Sequence, residues 1–248
     1  MSFTIWTPPA LSSEARPWQA SVWRVVEAQH IATTMKLVDD PAEQDLLEAL
    51  LEGSKPPAAA GTAALHYLLA APFRYSPLPG GSRFRGATDP GVFYGADSVL
   101  TACAELGYWR WRFLRDAPAL ERLEPVAHTA FRARIATTAI DLRRPPFAQD
   151  AAAWTHPADY GATQALARQA REAAIGAILY VSVRAPGPAW CAAVLTAAAF
   201  ARPAPEAHIQ TWWLAVRRDE VQWRRDRDAV VFSTAAWHAE PPAPPQTP

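Results

Sequence analysis

The chain has 248 residues, half of them hydrophobic, and its 24 basic and 24 acidic side chains leave no net charge. That length suits one good-sized domain, and the charge balance excludes a surface built throughout for nucleic acid, so no direct nucleic-acid partner is expected. Two cysteines, Cys103 and Cys191, exclude a disulfide framework or zinc spacing, and with no leader-like start and no run long enough to span a bilayer the expectation is a cytoplasmic protein without a metal or a membrane contact.

In chain order, residues 1–20 read as an irregular arm rich in proline and tryptophan, followed by a first strand at 21–26. Residues 31–54 read as an amphipathic helical region. Asp39 or Asp40 caps it, Pro41 suits its first turn, and Gly53 stops it; the stripe of Leu46, Leu47, Leu50 and Leu51 is expected in the core. A second helical stretch, 62–70, ends before Pro72. A loop punctuated by Pro77, Pro79, Gly80 and Gly81 and a turn at Asp89-Pro90-Gly91 lead into the short β-prone run 92–94. Either Asp97 or Ser98 caps the helix that follows, which continues through Leu114 with its aromatic face buried and its arginines solvated.

Residues 125–141 supply one or two strands. A helix within 154–174 is stopped at Gly176, and 177–181 is a buried strand that ends at Ser182. Residues 190–200 and 208–216 read as two more strands, and 221–224 with 229–232 as a hairpin or a helix and a strand. Trp212, Trp213, Trp223 and Trp237 read as core filling, and the Pro-rich tail 241–248 as disordered.

The stretch that carries chemistry is 72–105. Arg83, Tyr94 and Glu105 stand eleven residues apart and deliver a cation, an aromatic ring and a carboxylate from one continuous piece of chain. On residue chemistry alone this is a candidate pocket for an anionic or phosphorylated ligand. Arg83 and Arg85 offer forked donors to phosphate oxygens, Tyr94 offers a ring for stacking, and Glu105 faces the same cleft from the helix. The alternative is ordinary: solvated arginines, a core tyrosine and a surface helix pair.

The runs Gly81-Ser82-Arg83-Phe84-Arg85, Val92-Phe93-Tyr94-Gly95-Ala96-Asp97 and Thr101-Ala102-Cys103-Ala104-Glu105 resemble the RES domain, the toxin family of RES–Xre toxin–antitoxin systems. Arg83 and Glu105 match the first two residues for which the family is named, and Ser182, within 178–184, matches the third. The resemblance implies an α+β fold with a mixed, split β-sheet core like that of ADP-ribosyltransferases. It would form one domain over 1–240 with a helical insertion at about 31–70.

The resemblance also implies NAD as substrate, no metal, and cleavage of the nicotinamide–ribose bond with water or phosphate as acceptor. Glu105, Arg83 and Ser182 form the implied catalytic set. Glu105 would stabilise the ribose cation and Arg83 would neutralise the pyrophosphate, assisted by Arg85 and by Arg24, for which Arg74 is a competing candidate. Tyr94 would stack on the substrate, and Ser182 would hold ligand or Glu105 without attacking anything. The implied partners are an Xre-type helix-turn-helix antitoxin and a second copy in a homodimer. Protein ADP-ribosyltransferase activity and a non-catalytic interaction role on the same fold remain as alternatives.

Overall fold

The structure, a computed structural model, describes residues 6–28, 40–54, 56–75 and 80–238. Its spine is the strand β3 (Arg122–Asp141), twenty residues without a break where the sequence left one strand or two open. β1 (Arg16–Glu27) pairs antiparallel with it from Arg16↔Ala139 to Glu27↔His128. The 1–20 arm is therefore corrected. Pro8 and Pro9 open the helix α1 (Pro8–Glu14), where a missing N–H costs nothing, and β1 is regular from Arg16.

α2 (Pro41–Ser54) and α3 (Tyr67–Arg74) precede β2 (Phe93–Ala96) and α4 (Val99–Asp116). Then come β3, α5 (Ala151–Trp154), α6 (Gly161–Glu172), β4 (Ala177–Val181) and β5 (Trp190–Val194). β6 (Gln210–Arg217), β7 (Glu220–Arg225) and β8 (Asp228–Ser233) close the order, and the C-terminal alternative resolves as a hairpin. The chain is α+β with one mixed sheet, ordered β1-β2-β5-β4-β3-β6-β7-β8. β3–β4 is its parallel pairing.

Because β1 also pairs with β3, the pairings β1–β2–β5–β4–β3–β1 close into a ring, from which β6, β7 and β8 extend along β3. Strand alternation splits the ring's side chains between two cores. Val22, Phe93, Phe131, Ile135, Ala192 and Val194 fill one, under Leu68 and Leu69 of α3. Val25, Ala96, Tyr180 and Cys191 face the other, under α4, which adds Cys103, Tyr108 and Trp111. β1 and β2 are joined only at Trp23↔Ala96. They part beyond that point, and the candidate site lies there.

Several expectations change. Asp40 does cap α2, accepting from the N–H groups of Ala42 and Glu43 at 2.8 and 2.9 Å. Two leucines of its stripe are not core, however: Leu46 and Leu50 are 61% and 63% exposed. The 3.6-residue period shows that an apolar face exists and leaves open whether another element covers it. The second helix runs 67–74 and not 62–70, capped by His66 Nδ1 and carried through Pro72 by the burial of Leu68 and Leu69. The strand from Trp190 ends at Val194, and a short 3-10 turn at 197–199 follows. Trp213 is exposed on the outer side of β6, while Trp212, Trp223 and Trp237 are buried. Residues 31–39, Pro77, Pro79 and the tail 241–248 lie outside the described residues.

His128 of β3 is fully enclosed beside the Trp223 ring, with Nδ1 2.9 Å from the Val126 carbonyl and Nε2 without a partner among the described residues. Burial holds its pKa below the ordinary histidine value. The unfolded chain therefore binds a proton, at about pH 6.5, that the folded chain refuses. Stability is complete above that pH and falls as pH drops below it. Thermal unfolding of His128→Phe is expected to lose part of the wild-type decline below about pH 6.5; identical slopes would rule out this assignment.

Candidate active site

The Gly80–Arg85 turn is built by short-range geometry and then tied down from a distance. Gly80 and Gly81 adopt φ of 90° and 73°, and a Cβ on Gly81 would lie 2.0 Å from the Arg85 carbonyl oxygen, so only glycine fits. Ser82 and Arg85 exchange backbone hydrogen bonds of 2.7 and 3.1 Å. From α6, Gln164 Nε2 donates toward the carbonyls of Gly80, Ser82 and Arg85, and Thr163 Oγ1 donates to that of Arg83 at 2.5 Å. From β2, the Tyr94 hydroxyl accepts the Phe84 N–H at 2.9 Å and pairs with Ser82 Oγ at 2.8 Å.

This turn delivers the buried Arg83 to a cavity of about 210 Å³. Its walls include Arg24, Tyr94, Glu105, Tyr160 and Arg184. Arg83 Nη1 donates to the carbonyls of Trp154 and His156 at 2.9 and 3.0 Å, and its guanidinium lies 4.8 Å from the centre of the Tyr160 ring. Arg184 donates to the Pro157 carbonyl and lies 3.5 Å from the centre of the Tyr108 ring. One loop, 154–157, thus orients two cations through carbonyl oxygens.

Glu105 is in the second turn of α4. Of the two possible caps Ser98 is the one used, accepting the Thr101 N–H at 3.1 Å, while Asp97 Oδ2 instead accepts the Trp190 N–H. Glu105 Oε1 accepts the Ser182 hydroxyl at 2.5 Å and a long contact of 3.8 Å from the Cys191 thiol. Ser182 Oγ in turn accepts the N–H groups of Ala185 at 3.1 Å and Arg184 at 3.3 Å. Two donors pointing at the oxygen leave the hydroxyl proton for the carboxylate, so the Ser182 side chain is held facing Glu105. Burial pushes the Glu105 pKa above the ordinary carboxylate range, against the opposing pull of Ser182, Arg83, Arg184 and Cys191.

Arg24 fills the gap where β1 and β2 part, donating to the Tyr94 carbonyl at 2.8 Å and lying 4.9 Å from the centre of the Phe93 ring. Burial lowers its pKa to about 10, which still leaves it cationic at neutral pH. Arg74 hydrogen-bonds the Pro56 carbonyl and reaches no wall of this cavity, so of the two candidates it is Arg24 that joins the site. Arg85 does not join either: it is held by the Asp89 and Tyr75 carbonyls and lines a neighbouring cavity.

Sequence reasoning missed Arg184, Tyr160 and Trp109 as wall residues. Trp109 contradicts the expectation of a single buried aromatic face on α4: Tyr108 and Trp111 are buried, whereas Trp109 and Phe113 are 42% and 55% exposed, and Trp109 stands at the cavity wall. The signal for Arg184 was its place two residues past the serine at the end of β4. Among the described residues no cluster of three or more His, Cys, Asp or Glu could hold a metal ion, and no helix is long and apolar enough to cross a membrane.

Two predictions follow from this geometry. By carbon-13 NMR, Glu105 is expected to titrate above the unperturbed glutamate value of about 4.3. Ser182→Ala should raise it further, because a donor to the charged form is lost; a fall, or no change, would contradict the hydrogen bond's role. Gln164→Ala is expected to lower stability by about 1–3 kcal/mol, as turn carbonyls lose their donor, measured by denaturant unfolding; an unchanged midpoint would show that the turn holds itself.

Comparison with known proteins places this geometry in context. The family model described as "RES domain" matches residues 55–217. No curated protein matches the chain. Among solved structures, the chain is similar to one in the crystal structure of the M. tuberculosis MbcT–MbcA toxin–antitoxin complex, at 15% identity and a TM-score of 0.44, over 90% of this chain and 89% of that one.

Proposed function

This chain belongs to the RES domain family, and on that premise we propose that it is the NAD-consuming toxin of a toxin–antitoxin pair, cleaving the bond between nicotinamide and ribose. The observation that carries the reading is the Glu105 carboxylate: it is enclosed beside Arg83 and Arg184 and fixed on one oxygen by Ser182, with no histidine among the described residues of the cavity wall. That is a poor setting for acid–base hydrolysis of an ester or amide. It suits a reaction in which the substrate itself becomes positive.

In NAD the pyridinium nitrogen bears the positive charge. When the bond from that nitrogen to ribose C1′ breaks, the electron pair goes to nitrogen and nicotinamide leaves as a neutral ring that needs no acid. The charge moves to the ribose as an oxocarbenium-like centre, as in glycoside cleavage. A carboxylate placed there in advance stabilises that centre more than it does the ground state. Glu105 Oε2, which has no protein donor among the described residues, would face the ribose. Arg83, Arg184 and Arg24 would hold the phosphates, and Tyr94 would flank the ribose while fixing the turn. An acceptor oxygen then bonds to C1′. Phosphate gives ADP-ribose 1″-phosphate; water gives ADP-ribose, its proton passing to Glu105, whose basicity is raised by burial.

The proposed partner is an Xre-type helix-turn-helix antitoxin that covers the cavity mouth near Trp109, and the proposed assembly is a homodimer in the cytoplasm. The purified protein is expected to release nicotinamide from NAD, with the rate rising on addition of phosphate if that is the acceptor. Glu105→Gln should lower the rate by about 100-fold or more, the usual cost of losing one electrostatic group. A folded wild type that leaves NAD intact in water and in phosphate, and labels no protein from NAD, would overturn the proposal.

A further inference from the structure

The outer part of the sheet has one face in the core and one open. In β6, β7 and β8 the side chains of Leu214, Val216, Val221, Trp223 and Phe232 are buried in the core that α4 covers. Their neighbours along each strand turn the other way. On that side Trp213 stands opposite Arg224 and Arg224 opposite Ala229, while Gln222 joins Ala215 to Val231 in the next row. Trp213 and Val231 are 51% and 52% exposed, and Arg224 and Ala229 are exposed with them. Arg217 and Arg225 are paired with Glu220 and Asp226, but Arg224 has no ion pair among the described residues. An indole and a valine thus lie in water around an uncompensated cation, which marks a contact surface.

The same chain carries the complement. α2 holds Leu46 and Leu50 one turn apart, both exposed. Its sequence has four carboxylates, Glu43, Asp45, Glu48 and Glu52, and no basic residue. A helix of 14 residues is marginal in water and is normally held by the packing of its apolar side. The leucines offer what Trp213 and Val231 lack, and the carboxylates offer what Arg224 lacks. A helix laid on an open sheet face is also the ordinary way to cover one. Each copy therefore bears both halves of one contact and covers neither within itself.

We infer that α2 of one copy docks on the open β6–β8 face of a second copy, and that a two-fold axis repeats the contact in the opposite sense. Each copy gives one helix and receives one, so the assembly closes as a dimer. The contact leaves the candidate active site free, because Glu105, Leu106 and Trp109 line that cavity from α4, on the other side of the sheet. The inference identifies the contact of the homodimer proposed above, rests on that part of the reading, and is independent of NAD chemistry.

The test is sedimentation equilibrium of the full chain at low and high salt, beside Leu50→Asp and Trp213→Asp. Both side chains are exposed, so the circular dichroism of each variant should match wild type. Wild type is expected to dimerise, and to dissociate more readily as salt rises, since carboxylates face an arginine. Each variant loses the contact at both ends and should self-associate about 30-fold more weakly or worse, the usual cost of losing an anchoring side chain. An equimolar mixture of the two keeps one intact contact, the helix of the Trp213→Asp chain on the sheet of the Leu50→Asp chain. It should associate more tightly than either variant alone. A monomeric wild type overturns the inference together with the homodimer. A dimer that either variant leaves intact, or a mixture no tighter than its components, overturns this contact and spares the homodimer.

Discussion

A carboxylate enclosed beside a protein core keeps its charge only if donors and cations are arranged around it, and much of this molecule supplies that arrangement for Glu105. Ser182 donates from the end of β4, Cys191 approaches from β5, Arg83 arrives on the glycine turn, and Arg184 follows two residues after the serine. Each is positioned by something further out. Ser182 is fixed by two N–H groups of its own turn, Arg83 and Arg184 by the carbonyls of the 154–157 loop, and the turn itself by Thr163, Gln164 and Tyr94. Burial still wins the balance and leaves the Glu105 pKa raised. The group is consequently a stronger base and a more concentrated charge than a surface glutamate.

The sheet places this carboxylate at an opening. β1 is committed to β3 along its whole length, so it touches β2 at one register position and then diverges. A strand gap of that kind exposes backbone groups that must be satisfied, and Arg24 does so at the Tyr94 carbonyl. The closed ring of strands and the cleft are in this sense one feature.

Arg83, Tyr94 and Glu105 were legible because a single turn–strand–helix segment carries all three, and local rules for glycine turns, β-prone runs and serine caps apply to it directly. Ser182 was legible as a strand-end residue, and its role behind Glu105 follows from the bonds to its oxygen. Arg184 and Tyr160 were not legible as site residues, since they are held by backbone carbonyls and ring stacking, which any side-chain sequence around 154–157 can supply. Leu46, Leu50, Trp213 and Trp109 misled for one shared reason: periodicity and composition report that a face is apolar, while exposure depends on which element lies over it. The long pairing of β1 with β3 was hidden because the strand begins behind prolines that read as an irregular arm.

The claim at the centre of this account is that Glu105 favours positive charge on the ribose. Inhibition by a cationic iminoribitol, set against its neutral ribose analogue, measures that preference without turnover. The account predicts that Glu105→Gln weakens the cationic inhibitor by about 100-fold, Ser182→Ala weakens it less, and neither alters the neutral analogue. Equal losses for both inhibitors, or no loss for either, would contradict it and make Glu105 a residue of structure alone.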